Sequence, residues 1–135
     1  MAATEISNFS GVWWRISLPP GWSARQDEEC VTFQGDPPIG ALQISSARKS
    51  EGVVTDEDLM EFGASKKAHL SPATHDRFSG FCAEYCKDGR SWNEWWLRCG
   101  DLLVYVTYNV ELGSEEAERN AVTKIVASLK PASNV

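Results

Sequence analysis

What the chain lacks narrows its possibilities first. No run of eighteen apolar residues occurs, so no segment reads as a membrane-spanning helix and integral membrane association is not expected. HExxH, GxSxG and CxxC are all missing. Gly11, Gly21, Gly35 and Gly40 stand singly in turns and form no phosphate-cradling loop. Histidine is scarce: His69 and His75, read at a helix end and in a loop, lie beside no evident serine or cysteine nucleophile. Basic residues are also few. Thirteen Lys and Arg against nineteen Asp and Glu leave an acidic chain of charge −6, which argues against nucleic acid or an anionic membrane as the main partner.

The acidic groups offer no metal or acid–base site either. Asp27-Glu28-Glu29 and Asp56-Glu57-Asp58 lack the alternating ligands and the glycine of a calcium loop, and read as a solvated turn and a helix N-terminus. Four cysteines, Cys30, Cys82, Cys86 and Cys99, raise the question of disulfides. On a strand, Cys82 and Cys86 share a face with Cα atoms roughly 13 Å apart, too far for a bridge or for shared zinc ligation. All four are expected as reduced thiols. The opening MAATEISNFSGVWW carries Glu5 and no apolar h-region, so no secretory signal is read and a cytoplasmic location is expected. No catalytic residue, cofactor or metal is assigned.

What is present is a fold. The 135 residues suit a single domain, 1–135, with residues 1–10 expected as a flexible N-terminus. Residues 12–18 alternate and stop at Pro19-Pro20-Gly21, two short strands are expected over 22–27 and 31–35, and a fourth over 41–47. Thr55 with Asp58 marks a helix start; Leu59, Met60, Phe62 and Leu70 form its stripe, Lys66 and Lys67 sit near its end, and Ser71-Pro72 stops it. Residues 74–78, with a bulge expected at Gly80, lead into three consecutive strands. Ser114 is read as the cap of a second helix, with Glu115, Glu116 and Glu118 in its first turn. Its apolar face is Ala117, Ala121, Val122, Ile125, Val126 and Leu129. The order β-β-β-β-α-β-β-β-α predicts an α+β domain: an antiparallel sheet of about six to seven strands flanked by two main helices.

The three-strand run FCAEYCKDGRSWNEWWLRCGDLLVYVTYNV, residues 81–110, is the most informative stretch. Asp88-Gly89 and Gly100-Asp101 suit two-residue hairpins, and fixing the turns fixes the register. One face then carries Cys82, Trp95, Leu97, Cys99, Leu102, Val104 and Val106. The other carries Phe81, Tyr85, Trp92, Trp96 and Tyr105, with Glu94, Arg98, Thr107 and Asn109 among them. Counting pairs Phe81 with Trp96, Tyr85 with Trp92, and Trp96 with Tyr105. Glu84 and Glu94 fall on opposite faces and cannot act as a carboxylate pair.

The opening WWRISLPPGW, the VTDEDL helix start, the hairpin SWNEWWLRCGDLLVYVTY and the closing IVASLKP resemble, in order and over the whole chain, the PsbP-like superfamily. That superfamily takes in the photosystem II subunit, Ran-binding Mog-type proteins and small bacterial proteins of unassigned function. The resemblance implies a central antiparallel sheet with flanking helices, and a protein that works by binding rather than catalysis. Some bacterial relatives are chaperones that hold apolar segments of secretion effectors. No Ran-specific motif is present, so no family residue is carried over.

The aromatic face has two readings. Cross-strand aromatic pairs stabilise a sheet, by roughly 0.2–1 kcal/mol each, so the set could be a second core beneath a helix. Alternatively it is a partner-binding face of Tyr85, Trp92, Glu94, Trp96, Arg98 and Tyr105, with the two charges at its rim, because a sealed core disfavours both. The leading expectation is a non-enzymatic binding protein for a protein partner, of chaperone, immunity or adaptor type. The alternative is a small-ligand carrier or cryptic enzyme using a cleft between the sheet and a helix.

Overall fold

Two-residue turns organise the sheet as the dipeptides require. In the computed structural model, which describes residues 7–67 and 69–132, Asp88 and Gly89 both adopt positive φ (52° and 77°), and Gly100 does so alone at the next turn (59°). They join β7 (Phe78–Lys87), β8 (Arg90–Cys99) and β9 (Leu102–Glu111), adjacent and in that order. The remaining strands of the first half are β1 (Ser7–Ser10), β2 (Trp14–Leu18), β3 (Ser23–Gln26), β4 (Val31–Gln34) and β5 (Ala41–Arg48). A further strand, β6 (Ser71–His75), pairs with β7 through a turn at Asp76-Arg77, where Asp76 takes φ 55°. The large sheet runs β3-β4-β5-β9-β8-β7-β6 and is antiparallel throughout.

Helix α1 (Asp56–Phe62) starts with a full capping box: Asp58 N–H donates to Thr55 Oγ1, and Thr55 N–H donates to the Asp58 carboxylate at 2.9 Å. It is shorter than the apolar spacing predicts. Gly63, at φ 141°, ends it by donating back to Leu59 and Met60, and Ala64–Lys66 form a single 3₁₀ turn. Ala68, within the expected helix, lies outside the described residues. Ser71-Pro72 begins β6 instead of merely stopping a helix; proline is tolerated because β6 is an edge strand. His75 accordingly sits in this strand, and His69 two residues before it. Gly80 forms no bulge, since its pairing with Ala73 and Leu97 is continuous. The glycine is needed for another reason: a Cβ there would overlap the Trp96 carbonyl oxygen.

The second helix, α2 (Arg119–Ala127), begins five residues after Ser114. Ala117 is exposed outside it, and the buried stripe is Val122, Ile125 and Val126, continued by Leu129. These residues share the main core with Leu97, Val104 and Val106 on one sheet face. A small sheet of order β1-β2-β10, with β10 at Lys130–Pro131, closes the same side through Trp14, Ile16 and Leu18. Of the segment expected as a flexible N-terminus, residues 7–10 are strand β1 and residues 1–6 lie outside the described residues. The opposite sheet face is covered at one end by α1, through Val54, Leu59 and Ala64 over Ala83 and Trp96. The result is an α+β domain of three layers.

Candidate functional site

The aromatic face has the register counted from the turns: Phe81 opposite Trp96, Tyr85 opposite Trp92, Trp96 opposite Tyr105. What covers it divides it. Trp96 is only 1% exposed, packed in the cluster with Leu59 and Ala83 and tilted against Tyr105 with ring centroids 5.8 Å apart. It is therefore a core residue rather than an accessible anchor. Tyr85 and Trp92 lie outside that cluster, stacked nearly parallel (6°, 6.4 Å) and half-buried. Tyr105 is also half-buried, and the ring of Phe62 meets its edge at 5.4 Å. Phe62 itself, expected on the core stripe of its helix, is 51% exposed.

Glu94 is not at the rim. It is 4% exposed in the middle of β8, where an isolated carboxylate is costly. Three groups compensate it. The hydroxyl of Tyr85 donates to Oε1 and that of Tyr105 to Oε2, and the Lys67 ammonium lies 3.0 Å from Oε1. Burial pushes the carboxyl pKa up, but the hydrogen bonds from Tyr105, Tyr85 and Lys67, with the Lys67 charge, outweigh it and hold the group below its ordinary range. Lys67 moves the other way: desolvation lowers it, yet Glu94 and Tyr85 hold it net above the usual lysine value. Its ammonium also stands 4.0 Å from the centroid of the Tyr85 ring, a cation–π contact. Burial and the Glu94 charge raise Tyr85, and raise Tyr105 further.

Arg98 does not pair with Glu94. Its Nε donates to Asp56 at 2.7 Å, tying the first turn of α1 to β8. Sequence reasoning thus found Tyr85, Trp92, Glu94 and Tyr105 as neighbours but missed Lys67, read only as a helix-end cation. Contact between residues 67 and 94 has no local signal. The one available hint was a glutamate between Trp92 and Trp96 on an aromatic strand, which needs a cation from somewhere.

The other sheet face carries a groove of about 380 Å³ lined by His69, Ser71, Cys82, Glu84, Asn93 and Trp95. A smaller hollow of about 50 Å³ continues it beneath α2, against Arg119 and Thr123. Burial, with the nearby Glu84 charge, raises the Cys82 thiol, so it is a poor nucleophile there. Burial also holds His75 below its usual value. All four cysteines are free thiols. Among the described residues no three of His, Cys, Asp and Glu converge as metal ligands would, and no helix is long and apolar enough to cross a membrane.

No protein-family model matches the chain, and no curated protein does. Among solved structures it is similar to a protein from Bacteroides thetaiotaomicron at 17% identity, with a TM-score of 0.67 over 98% of this chain and 49% of that one. The chain thus spans about half the length of that protein. It is also similar to cyanobacterial PsbP (CyanoP) from Synechocystis, at 10% identity and a TM-score of 0.46, over 96% and 94% of the two chains. The first likeness establishes the fold alone, and the second is too loose to build on.

Proposed function

We propose that this chain is a non-enzymatic, cytoplasmic binding protein of the PsbP-like type that offers the aromatic side of its large sheet to a protein partner, as a chaperone, immunity protein or adaptor does. The relation to that superfamily is supported by the sequence motifs and the order of elements. The binding reading is carried by one observation, the Tyr85–Trp92 stack. Two rings are held parallel beside a rigid strand pair, outside the cluster that α1 covers, and stay half open to solvent. Fixed aromatic rings with one wet side supply contact area at low entropic cost. Phe62 extends the apolar border on the far side of Tyr105.

A second reading is favoured by the groove on the opposite face. Half-buried Trp95, with Asn93, Glu84 and Ser71 beside it, could hold a small ligand. Photo-crosslinking separates the two. With a benzophenone side chain at position 92, a protein adduct should form in cells of the source organism, whereas one at position 95 should give none. Protein adducts from position 95 alone would move the partner surface to the groove face, and no protein adduct from either position would favour the small-ligand reading.

A further inference from the structure

The sheet itself builds a receptor for positive charge. Tyr85, Glu94 and Tyr105 come from three adjacent strands, β7, β8 and β9, and converge on one point without help from outside the sheet. The ion at that point does come from outside. Lys67 follows the 3₁₀ turn, on extended backbone, and only its side chain reaches in. The neighbouring backbone is held by fully buried Ala64, but the Lys67 stem is four flexible carbons, and the side chain retains 27% exposure. It can leave without moving the main chain.

We propose that Tyr85, Glu94 and Tyr105 form a seat for a lysine side chain, that Lys67 fills it in the unbound protein, and that a lysine of the partner takes its place on binding. This rests on the reading of the aromatic face as a partner-binding surface, and names the group recognised there. The chemistry selects an ammonium. A carboxylate 4% exposed needs a cation, and the two tyrosine hydroxyls are neutral. The Tyr85 ring, held by Trp92, adds a cation–π surface at 4.0 Å. Lysine is favoured over arginine because the resident cation is itself a compact ammonium, 3.0 Å from Oε1 and over the Tyr85 ring, a position that a point charge on a flexible stem fills. The chain's −6 charge suits a basic partner, and the Trp92 and Phe62 rings border the seat with apolar surface for the partner's flanking residues.

The test empties the seat and refills it with the bare side chain. Lys67→Ala in the full chain is titrated with n-butylammonium and, in parallel, with butan-1-ol, following Tyr85 ring resonances and Trp92 emission. Saturable binding of the ammonium and none of the alcohol is expected. Binding at least tenfold weaker is expected for the unsubstituted chain, whose own lysine competes, and for Lys67→Ala combined with Glu94→Gln. Equal binding of the alcohol, or no saturable ammonium binding to a folded Lys67→Ala, overturns the seat. Should Lys67→Ala not fold, n-butylammonium and not butan-1-ol should refold it, and failure to do so overturns the proposal equally. A partner cross-linked at position 92 without ammonium binding would sink the seat and leave the face. Ammonium binding without any partner would do the reverse.

Discussion

Every tyrosine of this chain gives its hydroxyl to a buried glutamate. Tyr85 and Tyr105 donate to Glu94, and Tyr108 donates to Glu118 at 2.7 Å. Burial and these carboxylates raise all three phenols above their ordinary value of 10.0. Because the folded state disfavours the phenolate, the stabilisation is complete below that value and is lost as the pH rises through the higher folded-state values. Absorbance titration of the native protein should therefore show less tyrosinate at about pH 10 than the urea-unfolded chain, which is half ionised there. Glu94 works in the opposite direction. Its carboxyl is held below its ordinary 4.5, so its contribution is complete above that pH and drains away as acid takes the pH through the lower folded value. Glu94→Ala should cost about 1–3 kcal/mol, because it leaves the Tyr85 and Tyr105 hydroxyls without their acceptor while the Lys67 ammonium turns to water. Glu94→Gln should flatten the acid limb of a urea-midpoint profile, and an unchanged limb would assign acid sensitivity to other carboxylates.

At the scale of elements, legibility followed how local the deciding interactions are. The meander was readable because Asp88-Gly89 and Gly100-Asp101 fix their own turns, and alternation then assigns every face. Strand β6 was hidden by a proline that an edge tolerates, and β1 and β10 are too short to show a period. The start of α2 was misplaced because Ser114 and its glutamates carry the usual opening signals. The structure spends Glu118 elsewhere: its carboxylate accepts from Gly40 N–H at 2.9 Å, a contact 78 residues away in sequence. Phe62 fits the apolar spacing of α1 yet meets the Tyr105 ring and stays 51% exposed. Two substitutions check these assignments by urea denaturation. Ile125→Ala, fully buried beneath α2, should cost about 2–5 kcal/mol. Ala117→Gly, exposed and outside the helix, should change stability by less than about 0.5 kcal/mol; a larger loss would restore the longer helix.

For the whole molecule, the large sheet separates two different surfaces. One carries α2 and the small sheet, which leave open the Trp95 groove and a hollow of about 240 Å³ beside Trp13 and Cys30; the other is covered at one end by α1, beyond which Tyr85 and Trp92 stay half open. Free thiols sit around the first: denatured protein under non-reducing conditions should titrate four, and in the native state exposed Cys86 should react before Cys82, whose thiol burial raises. The partition between sealed and open aromatic surface is the central claim, and Trp92 and Trp96 report it from the same face of one strand. The direct measurement is the urea midpoint of Trp92→Ala and of Trp96→Ala, each set beside the affinity for the partner cross-linked at position 92. Trp96→Ala should lose about 3–5 kcal/mol of stability, as a core aromatic does. Trp92→Ala should lose no more than about 1 kcal/mol of stability while weakening the partner by about 2 kcal/mol or more. If Trp92→Ala unfolds as early as Trp96→Ala, or keeps its partner at full affinity, the open half of the face is not the binding surface.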